Sequence, residues 1–408
     1  MTSLSARPEW ASAWPLPIVA MFGVAGSVIF PYSGGILMQE MTTTFGWSRT
    51  QFSTGFFVQT ILNLITLPVA GWLVDRMGSR RVVLLGIVPY VLSLSLFELA
   101  NGAIWQWWLL CALLAACQAL VCPPVWVTAV VGRFHASRGL ALAVTLAGLG
   151  VGTMIWPVLA AFYLRTLGWR TTFAALALSW AVVAVPMTWK FFFGPSQSVA
   201  MARAEPRSYG TALRSRTFLC LIVASGLFSS AYFGAIVHLV PLLRANGLDL
   251  ATAASVSGLA GLFGIIGRLS TGYLLDRLPT RPIGVVVFLS PILTSGLLLS
   301  GRGSLLLSAI AVALLGLAVG AEYDIVTFIA ARRFGREVFG SIYSIFTAII
   351  ALCSALGPIL AGAVFDRTGS YDLYLVIMMP MVLAGAMLIA RVPLTPPDQQ
   401  ATAAKAPA

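Results

Sequence analysis

Arg268, Glu322 and Asp324 are charged side chains set inside long apolar stretches. A charge at that depth in hydrocarbon is costly, and it faces either a pathway or a partner. A guanidinium stays protonated and offers a planar fork of donors that matches a carboxylate. Glu322 and Asp324 are separated by one residue. That spacing is about 200° around a helix, so only one of them can face a given point squarely. Counting back from Asp276 and Arg332 at 1.5 Å per residue, all three groups lie roughly 12–15 Å from the same end of their helices. Apolar surroundings favour a protonated carboxyl, and a neighbouring guanidinium favours the ionised form. One cation and two acids could therefore bind an anion and pass a proton. They could equally form a permanent bridge between helices, and the spacing does not choose between the acids.

The elements that must position these groups follow from composition. Of the 408 residues, 59% are hydrophobic and only 9% charged, against about 25% charged in a soluble domain. So much apolar surface requires lipid as its solvent. A spanning helix needs about 20 mainly apolar residues, and twelve such segments are predicted. They are 15–38, 50–74, 81–101, 105–131, 138–164, 170–192, 217–243, 251–275, 282–300, 304–330, 338–365 and 371–392, called spans 1 to 12 below. The longest connection, 193–216, is rich in Pro, Ser and Arg and reads as a cytoplasmic linker between an N-terminal bundle (1–192) and a C-terminal bundle (217–392). Residues 393–408 read as a disordered cytoplasmic tail. The net charge of +12 comes from arginines in short loops, among them Arg76, Arg80, Arg81, Arg133, Arg138, Arg277, Arg281, Arg332 and Arg333. These gather on one side, which places both termini in the cytoplasm by the positive-inside bias. The opening residues show no signal-peptide pattern, so an inner-membrane protein with multiple spans is expected.

The two halves repeat at a constant shift. Gly71, Asp75 and Arg76 recur as Gly272, Asp276 and Arg277; Arg133-Phe134 recurs as Arg333-Phe334; Pro157-Val158-Leu159-Ala160 recurs as Pro358-Ile359-Leu360-Ala361. Parallel six-helix repeats place a substrate site near the midplane between the halves. Arg268 falls opposite Leu67, and the acids fall opposite Cys122 and Pro124. The repeat therefore does not demand these charges.

Gly71-Trp72-Leu73-Val74-Asp75-Arg76-Met77-Gly78-Ser79-Arg80-Arg81 resembles the loop motif that follows helix 2 in the major facilitator superfamily. The fold implied is an all-α membrane protein of twelve transmembrane helices in two pseudo-symmetric six-helix bundles. Within that superfamily the chain resembles the monocarboxylate and oxalate/formate carrier branch. The pointers are Phe30-Pro31, Phe45-Gly46-Trp47-Ser48-Arg49, Arg138-Gly139-Leu140-Ala141, Arg268 and Gly369-Ser370-Tyr371. The resemblance implies that Arg268 binds a substrate carboxylate. It also implies that Asp75, Arg76 and Arg80, with Asp276 and Arg277 as a second copy, latch the cytoplasmic gate. Gly71 is expected where span 2 packs closely on a neighbour. The chain departs from the branch in three places. Tyr32 stands where animal carriers have a lysine, Gly264 stands where they have an aspartate, and no Lys or Arg occurs between Glu337 and Asp366.

Other candidates are placed by position. Tyr32, Trp126, Tyr232, Tyr343 and Phe346 are aromatics that could shape a substrate site or merely pack. Gln59 and Asn63 form a polar i, i+4 pair that could line a cavity or join helices. His238, near the outer end of span 7, could relay protons or be a solvated or structural residue near the interface. Trp105, Trp107 and Trp108 read as interfacial belt residues. No phosphate-binding loop, metal-ligand cluster or hydrolase constellation is present. The chain is thus expected to be no enzyme and to need no cofactor beyond a proton gradient. The reading is a monomeric secondary transporter that carries a small organic carboxylate with protons (symport) and has no nucleic-acid partner. A proton-coupled exporter of drugs or metabolites on the same fold is the alternative.

Overall fold

The computed structural model describes residues 6–134, 137–193, 214–275 and 277–392, with the side chains of 6–8 and 331–344 outside the description. Among the described residues, twelve helices are long and apolar enough to cross a membrane, from Pro15–Phe45 to Asp372–Ala390. Most of the expected linker and all of the expected tail lie outside the described residues. The chain packs as two compact units: one holds Met1–Met201 and Val237–Leu262, the other Ala202–Ile236 and Phe263–Ala408. Packing thus divides spans 7 and 8 internally, whereas the sequence repeat divides the chain at the linker.

Span 1 is broken. Helix Pro15–Gly26 stops, Ser27 and Val28 intervene, and Ile29–Phe45 resumes. Its glycines allow large rings to press in: a β-carbon at Gly23 would lie 2.2 Å from Trp126, and one at Gly26 would lie 2.0 Å from Trp180. Backbone carbonyls freed in hydrocarbon must find internal donors. Here side chains from four other spans supply them. Trp180 Nε1 donates to Phe22 O at 2.9 Å, Trp156 Nε1 to Ala25 O at 2.6 Å, Tyr90 Oη to Gly26 O at 2.7 Å, and Gln118 Nε2 to Ser27 O. Span 4 is broken for a different reason. Helix Ile104–Gln118 tightens into a 3₁₀ turn at Ala119–Val121 and restarts at Pro123. Pro123-Pro124 lacks the N–H groups that would continue the ladder.

Two expectations change at this level. Helical structure runs unbroken from Leu305 to Thr368, so spans 10 and 11 are joined without the expected loop. The connecting run contains Ala330-Ala331-Arg332-Arg333, good helix formers with no proline among them. Trp107 is a core residue and not part of the belt: it is fully buried, stacks on Phe52 at 4.9 Å, and donates Nε1 to Phe52 O at 3.0 Å. Trp105 and Trp108 are exposed, as a belt requires.

Asp249, just before span 8, caps that helix. It accepts from the backbone N–H of Ala251 and Thr252 and from the Thr252 hydroxyl. These bonds, the Thr252 hydroxyl foremost, hold its carboxyl below the usual range. A lowered folded value means stability that is complete above the ordinary carboxylate range and is lost as pH falls through the lowered value. Asp249→Ala is expected to melt below wild type at pH 7. The gap should narrow as the pH of a thermal melt is taken below about 4.

Candidate functional site

Spans 8 and 10 meet backbone to backbone in the second unit. A β-carbon at Gly320 would lie 2.0 Å from the Gly264 carbonyl oxygen, and one at Gly267 would lie 2.4 Å from that of Leu317. Only glycine permits this approach. One turn beyond Gly264 stands Arg268, and one turn beyond Gly320 stands Asp324. The crossing therefore sets the two charges against each other, Arg268 Nε to Asp324 Oδ2 at 3.5 Å, both about one-third exposed. Glu322 points away. It is buried (4% exposed) with the fully buried Ser225 hydroxyl of span 7 facing it at more than hydrogen-bond distance. The predicted angular split between the acids is thus resolved: Asp324 shares the partly open face with Arg268, and Glu322 lies in the packing behind.

Gln59 and Asn63 join helices through a residue the sequence reading missed. Gln59 Nε2 donates to Gln118 Oε1 at 3.0 Å, and Asn63 Nδ2 donates to the same oxygen at 3.3 Å. Gln118 was visible as an amide inside an apolar span. Gln59 is buried (6% exposed), while Asn63 Oδ1 is enclosed with no donor. His238 also differs from its expected interfacial setting. It is fully buried at the break between Arg216–Val237 and Leu239–Ala245, with Nε2 3.2 Å from the buried Ser53 Oγ of span 2. The neighbouring Val237 carbonyl sits where a β-carbon of Gly35 would be, 1.9 Å away.

Among the aromatics, Tyr32 is half-buried. Tyr232 and Phe346 are buried, and Tyr343 lies outside the described side chains. Trp126 packs and cannot line an open site. It is fully buried, fills the space left by Gly23, contacts Phe192 at 4.9 Å and donates to Val121 O at 2.9 Å.

Among the described residues, the loop after span 2 makes no ion pair that would act as a latch. Gly71 is exposed with open space where a β-carbon would go, so close packing is not its role here. Asp75 is exposed and makes no ion pair among the described residues. Arg76 lies over the Trp72 ring at 4.2 Å, and Arg277 repeats this over Tyr273 at 4.1 Å. Arg80 donates to the Trp189 carbonyl at 2.7 Å. Gly78 turns the chain at φ 80°, a conformation that favours glycine. Asp276 lies outside the described residues.

A duplicated twelve-span membrane protein with buried charges and no sheet is the architecture of a solute transporter. The Major Facilitator Superfamily profile matches residues 16–358, and the chain belongs to that superfamily. It is an integral multi-pass transporter and not an enzyme. It is 25% identical over 395 residues to monocarboxylate transporter 13 of Rattus norvegicus, covering 95% of this chain and 90% of that protein. Monocarboxylate transporter 11 of Mus musculus is 28% identical, covering 80% and 75%. The fold matches the crystal structure of the nucleoside transporter NupG with a TM-score of 0.77 at 12% identity, over 93% of this chain and 99% of that one. A D-xylose–proton symporter matches with a TM-score of 0.74 at 12% identity, over 93% and 97%. Together the relatives support the monocarboxylate branch.

Two substitutions test this geometry. Gly320→Val should lower stability by about 1–3 kcal/mol through overpacking. Gly296→Ala on span 9, which meets nothing within 4 Å, should be neutral in the same thermal-unfolding assay. A double-mutant cycle between Ser53→Ala and His238→Ala should show a coupling of about 0.5–1.5 kcal/mol.

Proposed function

We propose that this chain is a secondary active transporter of a small monocarboxylate-like organic anion, carried together with a proton by alternating access. The observation that supports it is the partly open Arg268–Asp324 pair, held by a glycine crossing in an otherwise apolar segment. A carboxylate cargo and the Asp324 carboxylate compete for one guanidinium. When the cargo takes Arg268, Asp324 loses its partner, and a bare carboxylate at that depth is costly. Protonation of Asp324 removes the cost, so anion and proton load together. When the cargo leaves, Arg268 takes Asp324 back and the proton is released. One guanidinium suits one carboxylate, which favours a monocarboxylate over a dicarboxylate.

Glu322 is assigned a different part. Its carboxyl is buried beside the Ser225 hydroxyl, away from the partly open face that Arg268 and Asp324 share. It supports the packing of span 10 on span 7. Asp75, Arg76 and Arg80, with Asp276 and Arg277, are proposed as a gate latch that engages in another conformation of the cycle. The proposed setting is the inner membrane with both termini cytoplasmic.

The test is uptake of labelled monocarboxylates into proteoliposomes under an imposed pH gradient. Arg268→Lys and Arg268→Ala should weaken anion transport on the order of 100-fold, the worth of roughly 2–3 kcal/mol for a hydrogen-bonded charge. Asp324→Asn should abolish accumulation driven by the pH gradient while retaining anion exchange. Glu322→Gln should keep both the rate and the pH profile. Normal transport by the Arg268 variants would refute the proposal, and uptake of neutral or cationic compounds in place of carboxylates would favour the exporter reading.

A further inference from the structure

A lateral groove of about 490 Å³ lies wholly inside the second unit, walled by spans 8, 9 and 10. That volume falls within the roughly 300–1,000 Å³ of small-molecule sites. Its walls include Leu274, Leu278, Ile283, Val286, Leu314 and Leu317, and no charged residue lines it. Two of its three hydroxyls are spent locally: Ser270 donates to Gly267 O at 3.1 Å and Ser290 to Val287 O at 2.9 Å. With no charge on its walls, the groove is suited to hydrocarbon and not to the anion chemistry of Arg268. The groove has a simple origin. Spans 8 and 10 are pinned together at Gly264, Gly267 and Gly320, and Pro279 and Pro282 shape the short turn into span 9.

Val286 is 67% exposed and Leu278 52% exposed, on spans apolar enough to cross a membrane. At the 8–9 turn, beside the lining residues Leu278, Pro279 and Pro282, Arg277 and Arg281 are both exposed. Arg277 is stacked on Tyr273, an aromatic–cation pairing suited to headgroup depth. Arg281 uses Nη2 on the Val392 carbonyl at 3.1 Å, and its guanidinium has further donors.

We propose that this groove holds one acyl chain of an anionic diacyl phospholipid, with the lipid phosphate on Arg277 and Arg281. The walls select hydrocarbon, the open side admits a chain from the bilayer, and the two cations at the mouth select a negative headgroup. Cations at the mouth of an interhelical groove bind anionic headgroups by the same electrostatics that draw polybasic segments to charged membranes.

The experiment uses the full chain in nanodiscs of phosphatidylglycerol or of phosphatidylcholine with identical acyl chains. Lipid retained after detergent washing is counted by native mass spectrometry, and binding of added lipid is titrated. Wild type should retain one phosphatidylglycerol and bind it roughly thirtyfold more tightly than phosphatidylcholine, as two interfacial cations would give. The Arg277→Gln, Arg281→Gln double variant should bind the two lipids equally, while Arg133→Gln, at a helix end in the first unit, keeps the preference. Ser290→Phe, which fills the groove and leaves both arginines, should lose the retained lipid. Glycerol phosphate without chains should not compete. Equal binding of both lipids by wild type, a preference that survives the double variant, retention that survives Ser290→Phe, or competition by glycerol phosphate would each overturn the proposal. Because the readout is lipid binding, its failure is distinct from a failure of carboxylate transport.

Discussion

In hydrocarbon no water is available to a broken backbone, and this chain breaks its first span in mid-course. The fold of the first unit follows from answering that break. Four donors converge on the carbonyls of Phe22, Ala25, Gly26 and Ser27 at the break in span 1: two indoles, a phenol and an amide, each from a different span. Each donor fixes the rotation of the helix that carries it. Trp180, one of the four, also occupies the room left by Gly26, so at that point packing and hydrogen bonding are satisfied by one side chain. A carbonyl left unsatisfied at the break would cost several kcal/mol, a large share of the stability of a whole domain.

The second unit solves a different problem, how to keep a cation in lipid. Gly264 and Gly320 bring two backbones together, and the next turn of each carries one member of an ion pair. The resemblance implies an acid at the position of Gly264; here that position is the point where the helices touch, and the counter-charge to Arg268 stands across the interface at Asp324 of span 10. The two halves share a fold and the Trp72/Arg76 and Tyr273/Arg277 stackings, yet only the second carries a midspan ion pair among the described residues.

The architecture was legible because lipid leaves so few options: twelve apolar runs, a loop motif and a constant repeat shift identify it without any contact information. The depth match of Arg268 with the span 10 acids was legible too, since the helical rise is fixed. Which acid faces Arg268 was not, because the choice depends on helix rotation, and rotation is set by Gly264 and Gly320, residues that look like any other glycines in an apolar run. Trp107 and His238 were misplaced, and whether Trp126 packs or lines a site was left open, for a related reason. Position along the chain fixes depth, but inward or outward facing depends on partners such as Phe52, Gly23 and Ser53, which come from distant segments. Gly71 was assigned tight packing by analogy, and the open space beside it follows from how span 2 is oriented. The continuous helix through residues 331–344 shows the limit of charge as a loop signal: arginines that set topology are also good helix formers.

The amide cluster in the first unit has a directional logic. A backbone carbonyl can only accept, so Ser27 obliges Gln118 to turn its nitrogen inward. The Gln118 oxygen must then receive, and Gln59 and Asn63 are compelled to offer it their nitrogens. Their own oxygens are left facing away, that of Asn63 without a donor. A single peptide group thus polarises a chain of neutral side chains. The first half of the molecule orients its midspan polarity with neutral groups alone, whereas the second half relies on the Arg268–Asp324 ion pair.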